Sequence, residues 1–181
     1  MQRKESNLKS NVFFAVLFVI FFFFSASVLP FMVSDKESGK INAAFDILLA
    51  LSITVGMVYE NRKSAAVLAL VFGILNDVFV SPPVHLSPLV FMLGAYFSSK
   101  NLKVFTKANP LTATIAAVPF LLMRSATGVF YLMSDGAQAG LAQTIFKILL
   151  LEFVYNAAAV FVMYAVVKFL YKHFKRRFFI V

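Results

Sequence analysis

Val12 to Met32 reads VFFAVLFVIFFFFSASVLPFM, an unbroken apolar run without one charged side chain. A helix needs ~20 such residues to cross the hydrocarbon core of a bilayer. The run is too long for the apolar core of a signal peptide, and no small-residue cleavage site leads into a soluble domain. It is expected to stay as a helix. Five further apolar stretches follow the same rule: Ile41 to Tyr59, Ser64 to Val80, about Leu86 to Leu102, Leu111 to Met133, and Ala142 to about Lys168. Ser98, Ser99 and Lys100 already look interfacial at the end of the fourth. The pattern predicts an all-α fold, a bundle of about six transmembrane helices forming a single integral membrane domain over residues 1–181.

Composition agrees. Of 181 residues, 61% are hydrophobic and 14% charged, and the mean hydropathy is +0.85. A soluble domain has roughly 45–50% apolar and about 25% charged residues, so lipid is the expected solvent. The absence of cysteine removes disulfides, thiolate metal sites and cysteine nucleophiles together.

The net charge of +9 is topological rather than a sign of nucleic-acid binding. Basic residues gather in alternate loops: Arg3, Lys4 and Lys9; Arg62 and Lys63; Lys100, Lys103 and Lys107; then Lys168, Lys172, Lys175, Arg176 and Arg177. The opposite side holds Lys36 and Lys40, and its loops around Pro82–Pro83 and Asp135–Gly136 hold no cation. Positive charge stays on the cytoplasmic side. Both termini are therefore expected inside. The basic tail serves either as a stop signal or as a contact for anionic lipid.

Five ionisable residues fall within the expected spans: Asp46, Asp77, Arg124, Lys147 and Glu152. Each is costly there, by roughly 2.5–3.5 kcal/mol at a helix centre. Asp77 and Arg124 both lie thirteen residues beyond the inner starts of their spans. Equal depth predicts an Asp77–Arg124 pair, which offsets the desolvation of each. Lys147 and Asp46 lie five residues from the outer surface and either join this outer-half cluster or snorkel outward. Glu152 is deeper and is expected to face protein or a cavity. Gly73 shares a helix face with Asp77 at i, i+4 and lets another backbone approach. Asn76 points off that face, towards a different helix. Asn156, flanked by small residues in Tyr155-Asn156-Ala157-Ala158-Ala159, is expected to hydrogen-bond across a close helix contact. Pro119 is expected to kink the fifth span. Ser81-Pro82-Pro83 ends the third, and Pro88 fits the first turn of the fourth.

Two histidines and no cysteine assemble no metal site. There is no nucleophile elbow and no phosphate loop. Asp77 and Glu152 are the only candidate catalytic carboxylates, and a structural ion pair is the simpler role. No cofactor and no enzymatic activity are expected.

The run Gly73-Ile74-Leu75-Asn76-Asp77-Val78-Phe79, then Ser81-Pro82-Pro83, then a helix with Gly94-Ala95-Tyr96, resembles the rod-shape-determining protein MreD family. Tyr155-Asn156 before an apolar run and a basic end is similar to that family's C-terminal pattern, and His85 stands where the family usually has Gly in the turn. The resemblance implies a non-enzymatic scaffold of the bacterial cell-elongation complex in the inner membrane. Such a scaffold binds the single-span protein MreC and acts with MreB, RodA and a transpeptidase. It also implies that the Asp77 region is the polar centre of a fold similar to that of the substrate-binding S component of energy-coupling-factor transporters. That vitamin-binding class is the alternative function. Against it, Ala15 is followed at i+4 by Val19, and Phe21 to Phe24 are bulky where that class docks its coupling protein through paired alanines.

Overall fold

The computed structural model describes residues 2–27, 46–79, 86–105, 107–134 and 141–178, with side chains for 8–27, 46–79, 86–105, 107–127 and 149–177 of these. The described residues are all-helical: α1 Gln2–Ser27, α2 Ile47–Val58, α3 Arg62–Phe79, α4 Ser87–Leu102, α5 Pro110–Ser134 and α6 Leu141–Phe178. The expected loop at Ser81–Pro83, His85, the first outer loop with Lys36 and Lys40, and the Lys147 side chain lie outside what is described.

The core is built around the shortest of the described helices. α2 (ILLALSITVGMV) has no polar face, and Ile47 to Gly56 are all buried. It touches each of the other five helices. A helix apolar all round must be enclosed on every side. Its two hydroxyls are satisfied within the helix, Ser52 donating to the Leu48 carbonyl at 2.7 Å and Thr54 to the Leu51 carbonyl at 3.0 Å. At 1.5 Å per residue α2 is about 18 Å long, shorter than the expected span from Ile41. The difference arises at Asp46, which is not helical but caps the helix; residues 41–45 lie outside the description.

α4 matches expectation within one residue at both ends, and α3 and α5 start within two residues of the expected positions, whereas α1 starts at Gln2, ten residues before Val12, and α6 ends well beyond the expected Lys168. α6 runs on through Lys168 to Phe178, about 57 Å in all. The basic tail is thus one continuous helix with the apolar span. Pro88 does lie in the first turn of α4. Pro119 lies inside α5, which continues through it; in the turn before it, the Ala116 carbonyl accepts from Asn101 Nδ2 at 3.2 Å.

Contacts between distant segments bring the basic end of α6 against the residues after α2 and before α5. Lys168 Nζ donates to the Ala108 carbonyl at 2.9 Å, and Lys175 Nζ meets Glu60 at 2.7 Å. Beside them an aromatic cluster ties α1, the end of α2 and α6 together: Phe13 stacks on Phe174, and Phe14 packs on Tyr59 and Tyr171.

The outside is apolar as well as the inside. Val12, Val16, Ile20 and Phe23 are exposed along one side of α1, and Val67, Val71, Ile74 and Val78 along one side of α3. α4, α5 and α6 also turn large apolar side chains outward, among them Leu89, Ile115 and Phe161. Two helical stretches, Leu8–Ser27 and Leu149–Arg177, are long and apolar enough to cross a membrane.

Candidate functional site: a buried polar centre

Capping fixes the first element of the site. Asp46 precedes α2, and its Oδ1 accepts from the Leu49 backbone N–H at 3.0 Å. A side-chain oxygen in this position satisfies one of the four donors that a helix start leaves free. Asp46 Oδ2 then accepts from Arg124 Nε on α5 at 3.3 Å. Its backbone N–H donates to Asn156 Oδ1 on α6 at 2.9 Å. One residue therefore ties α2, α5 and α6 together. All three side chains are buried, at 5% exposure for Asp46, 8% for Arg124 and 3% for Asn156. Arg124 Nη1 also reaches Thr127 Oγ1 at 3.2 Å, and that hydroxyl donates to the Arg124 carbonyl at 2.7 Å.

The expected Asp77–Arg124 pair is not formed. Arg124 takes Asp46, and neither oxygen of Asp77 has a hydrogen-bond partner. The depth argument placed both groups at one height but left their directions around the helix axes undetermined. Asp46 was also expected either to snorkel or to join the cluster. It joins the cluster as its hub, because capping and pairing together hold its carboxylate inward.

Asp77 is nevertheless in the same region. It is buried, and close enough to Asp46 for the two carboxylates to interact electrostatically. Asn76 and Glu152 are buried too. Glu152 is one turn before Asn156 on the same face of α6. The predicted close approach at Gly73 is present: a Cβ there would lie 2.7 Å from Pro88 Cα of α4. The predicted interhelical bond of Asn156 is also present, made to backbone rather than to a side chain.

The sequence reading missed Ser87, a fully buried hydroxyl at the start of α4 without a hydrogen-bond partner. It also missed Gly56, where a Cβ would collide with the Ala95 backbone, and the bond from Ser98 Oγ to the Ile53 carbonyl at 3.0 Å. Gly94 faces Ile53 in the same seam. Small residues on α2 and α4 were the available signal, since they mark close helix approach.

The chemistry of the centre is that of a clamp. Both oxygens of Asp46 are engaged by donors, leaving it poorly placed to act as a base. Among the described residues no three His, Cys, Asp or Glu side chains come together as metal ligands. A separate apolar cavity of about 380 Å³, lined by Leu122, Ser125, Ala126 and Leu149, lies between α5 and α6. No family model, curated protein or solved structure matches the chain.

Proposed function

We propose that the chain is a multi-pass protein of the bacterial cell membrane, with about six transmembrane helices and both termini cytoplasmic. In this reading it is a non-enzymatic scaffold of the cell-elongation machinery, of the MreD type. Its direct partner is an MreC-like single-span protein, and through it MreB and the RodA–transpeptidase synthase. The observation that carries the proposal is the seam formed by α2, α3 and α4. There the residues of the family-like motif make close contacts, Gly73 against the Pro88 backbone, Ala95 through its backbone against Gly56, and Gly94 against the Ile53 side chain. Motif residues used for packing fit a scaffold better than an enzyme.

Apolar side chains on the outward faces of five helices support the membrane assignment. Soluble monomers rarely expose contiguous apolar patches of more than a few hundred Å². The stripe Val67, Val71, Ile74, Val78 on α3 supplies a surface on which a partner helix can lie. The committed bonds of Asp46, Arg124 and Asn156 favour a structural centre over a vitamin pocket.

The test is complementation of a rod-shaped bacterium depleted of its own shape scaffold, with gentle extraction and native mass spectrometry of the rescued complex. Restored rods and a co-purifying single-span coiled-coil protein are expected. Spherical cells together with a bound vitamin or an ATPase module would replace this reading with the transporter class.

A further inference from the structure

The cations of the basic tail are not alike in the structure. Lys168 Nζ is committed to the Ala108 carbonyl at 2.9 Å, and Lys175 Nζ to Glu60 at 2.7 Å. Lys172, Arg176 and Arg177 are exposed, and among the described side chains they make no hydrogen bond or ion pair. Acids are scarce around them. In the segments that carry the basic residues the only acids are Glu60, already paired, and Glu5, whose side chain lies outside the description.

The outward side of α6 shows what these cations adjoin. From Leu150 to Val167 every exposed residue of the helix is uncharged, among them Leu150, Val154, Phe161, Val162 and Val166. That stretch is about 27 Å long, close to the ~30 Å hydrocarbon core of a bilayer. Val162, Phe169 and Arg176 are spaced by seven residues, close to two turns, so they share one side of the helix. Lys172 lies between Phe169 and Arg176, one turn from each, on that side. Phe169 is 70% exposed, with His173 stacked on its ring. The outward stripe thus changes from apolar to cationic within a single turn. The inward stripe does not change: Val167 and Tyr171 are buried, and Phe174 stacks on Phe13 of α1.

We propose that Lys172 and Arg176 bind the phosphates of anionic lipid headgroups in the cytoplasmic leaflet, with the Phe169 ring at the edge of the hydrocarbon. Leu170 is the last exposed large apolar side chain described on α6. Lys172 lies about 3 Å beyond it along the axis, and Arg176 about 9 Å. The headgroup layer is roughly 5–7 Å deep, and the long stem of Arg176 reaches back across the remainder. Ammonium and guanidinium groups are the charge-assisted donors that a phosphate takes. An acidic soluble protein would satisfy the cations but leave Phe169 and Leu170, at the foot of the same stripe, in water. Lipid covers the apolar residues and pairs the cations with one kind of molecule. The inference rests on the membrane reading and is independent of the scaffold role.

The experiment is native mass spectrometry of the purified full chain in detergent, titrated with phosphatidylglycerol or with phosphatidylethanolamine of the same acyl chains. Wild type is expected to prefer phosphatidylglycerol about 25-fold, from a factor of roughly five per cation. The double variant Lys172→Gln/Arg176→Gln should hold the two lipids within about twofold of each other. The charge-conserving Lys172→Arg/Arg176→Lys should keep the preference. Lys100→Gln/Lys103→Gln removes the same charge at the end of α4 and should stay within about threefold of wild type. All four of these side chains are exposed, so the helix content by circular dichroism should not change. Equal affinity of wild type for the two lipids overturns the proposal, and a continued need for detergent then leaves the membrane reading intact. A chain that stays dissolved without detergent overturns both. Equal losses in the two glutamine double variants overturn it in favour of diffuse charge. Capture of soluble polyglutamate without a lipid preference overturns it in favour of an acidic protein partner.

Discussion

Asp46 and Asp77 are two buried aspartates in one polar centre, and their surroundings are opposite. Asp46 sits at a helix start, where its carboxylate caps α2 and pairs with Arg124 while its N–H finds Asn156. Asp77 sits inside α3, where the backbone N–H groups are already bonded within the helix, and its oxygens have no hydrogen-bond partner. Whether a carboxylate is satisfied thus depends on its position along the helix as well as on its depth. Helix starts supply donors and positive potential, and helix interiors supply no free donor.

The sharpest way to break this contrast is Arg124→Ala, which leaves Asp46 buried without its counter-charge. A loss of about 3–5 kcal/mol is expected in reversible unfolding by denaturing detergent. Double-mutant cycles separate the two acids directly. Arg124 and Asp46 should couple by about 2 kcal/mol, while Arg124 and Asp77 should couple by less than about 0.5 kcal/mol. Equal coupling would restore the pair expected from depth alone. Asn156→Ala strands the buried Asp46 N–H and should lower stability by roughly 1–3 kcal/mol.

Asp77→Asn tests the opposite sign. Replacing a buried carboxylate that has no hydrogen-bond partner by a neutral amide should raise stability by about 1 kcal/mol, whereas Asp46→Asn should lower it by stranding Arg124. The smallest effect is expected at the basic end. Glu60→Ala breaks an exposed contact to Lys175, with side chains 81% and 43% accessible, and should change stability by less than about 0.5 kcal/mol.

Much of the architecture was legible in the chain. The ends of α3, α4 and α5 fall within two residues of those expected, except for the end of α3, where Val80 lies outside the description. Apolar runs and Pro88 are local signals that need no knowledge of neighbours. Gly73 was legible for the same reason, since the lack of a side chain is useful where a backbone comes close. The start of α2 was not legible. The capping role of Asp46 settles it, and an aspartate in an apolar run can be read equally well as a buried charge.

The sequence alone determined that the described chain is helical, that its buried charges gather away from its basic end, and that Gly73 admits the close approach of another backbone. Each of these follows from composition or from spacing along one helix. Only the tertiary structure decided that α1, Gln2–Ser27, packs as an outer helix around the shorter central α2. It also decided that Arg124 belongs to Asp46 and that the buried Asp77 is left without a hydrogen-bond partner. Depth can be counted along a chain, but rotation about each helix axis is set by packing against all the others, and that rotation chooses which charges touch.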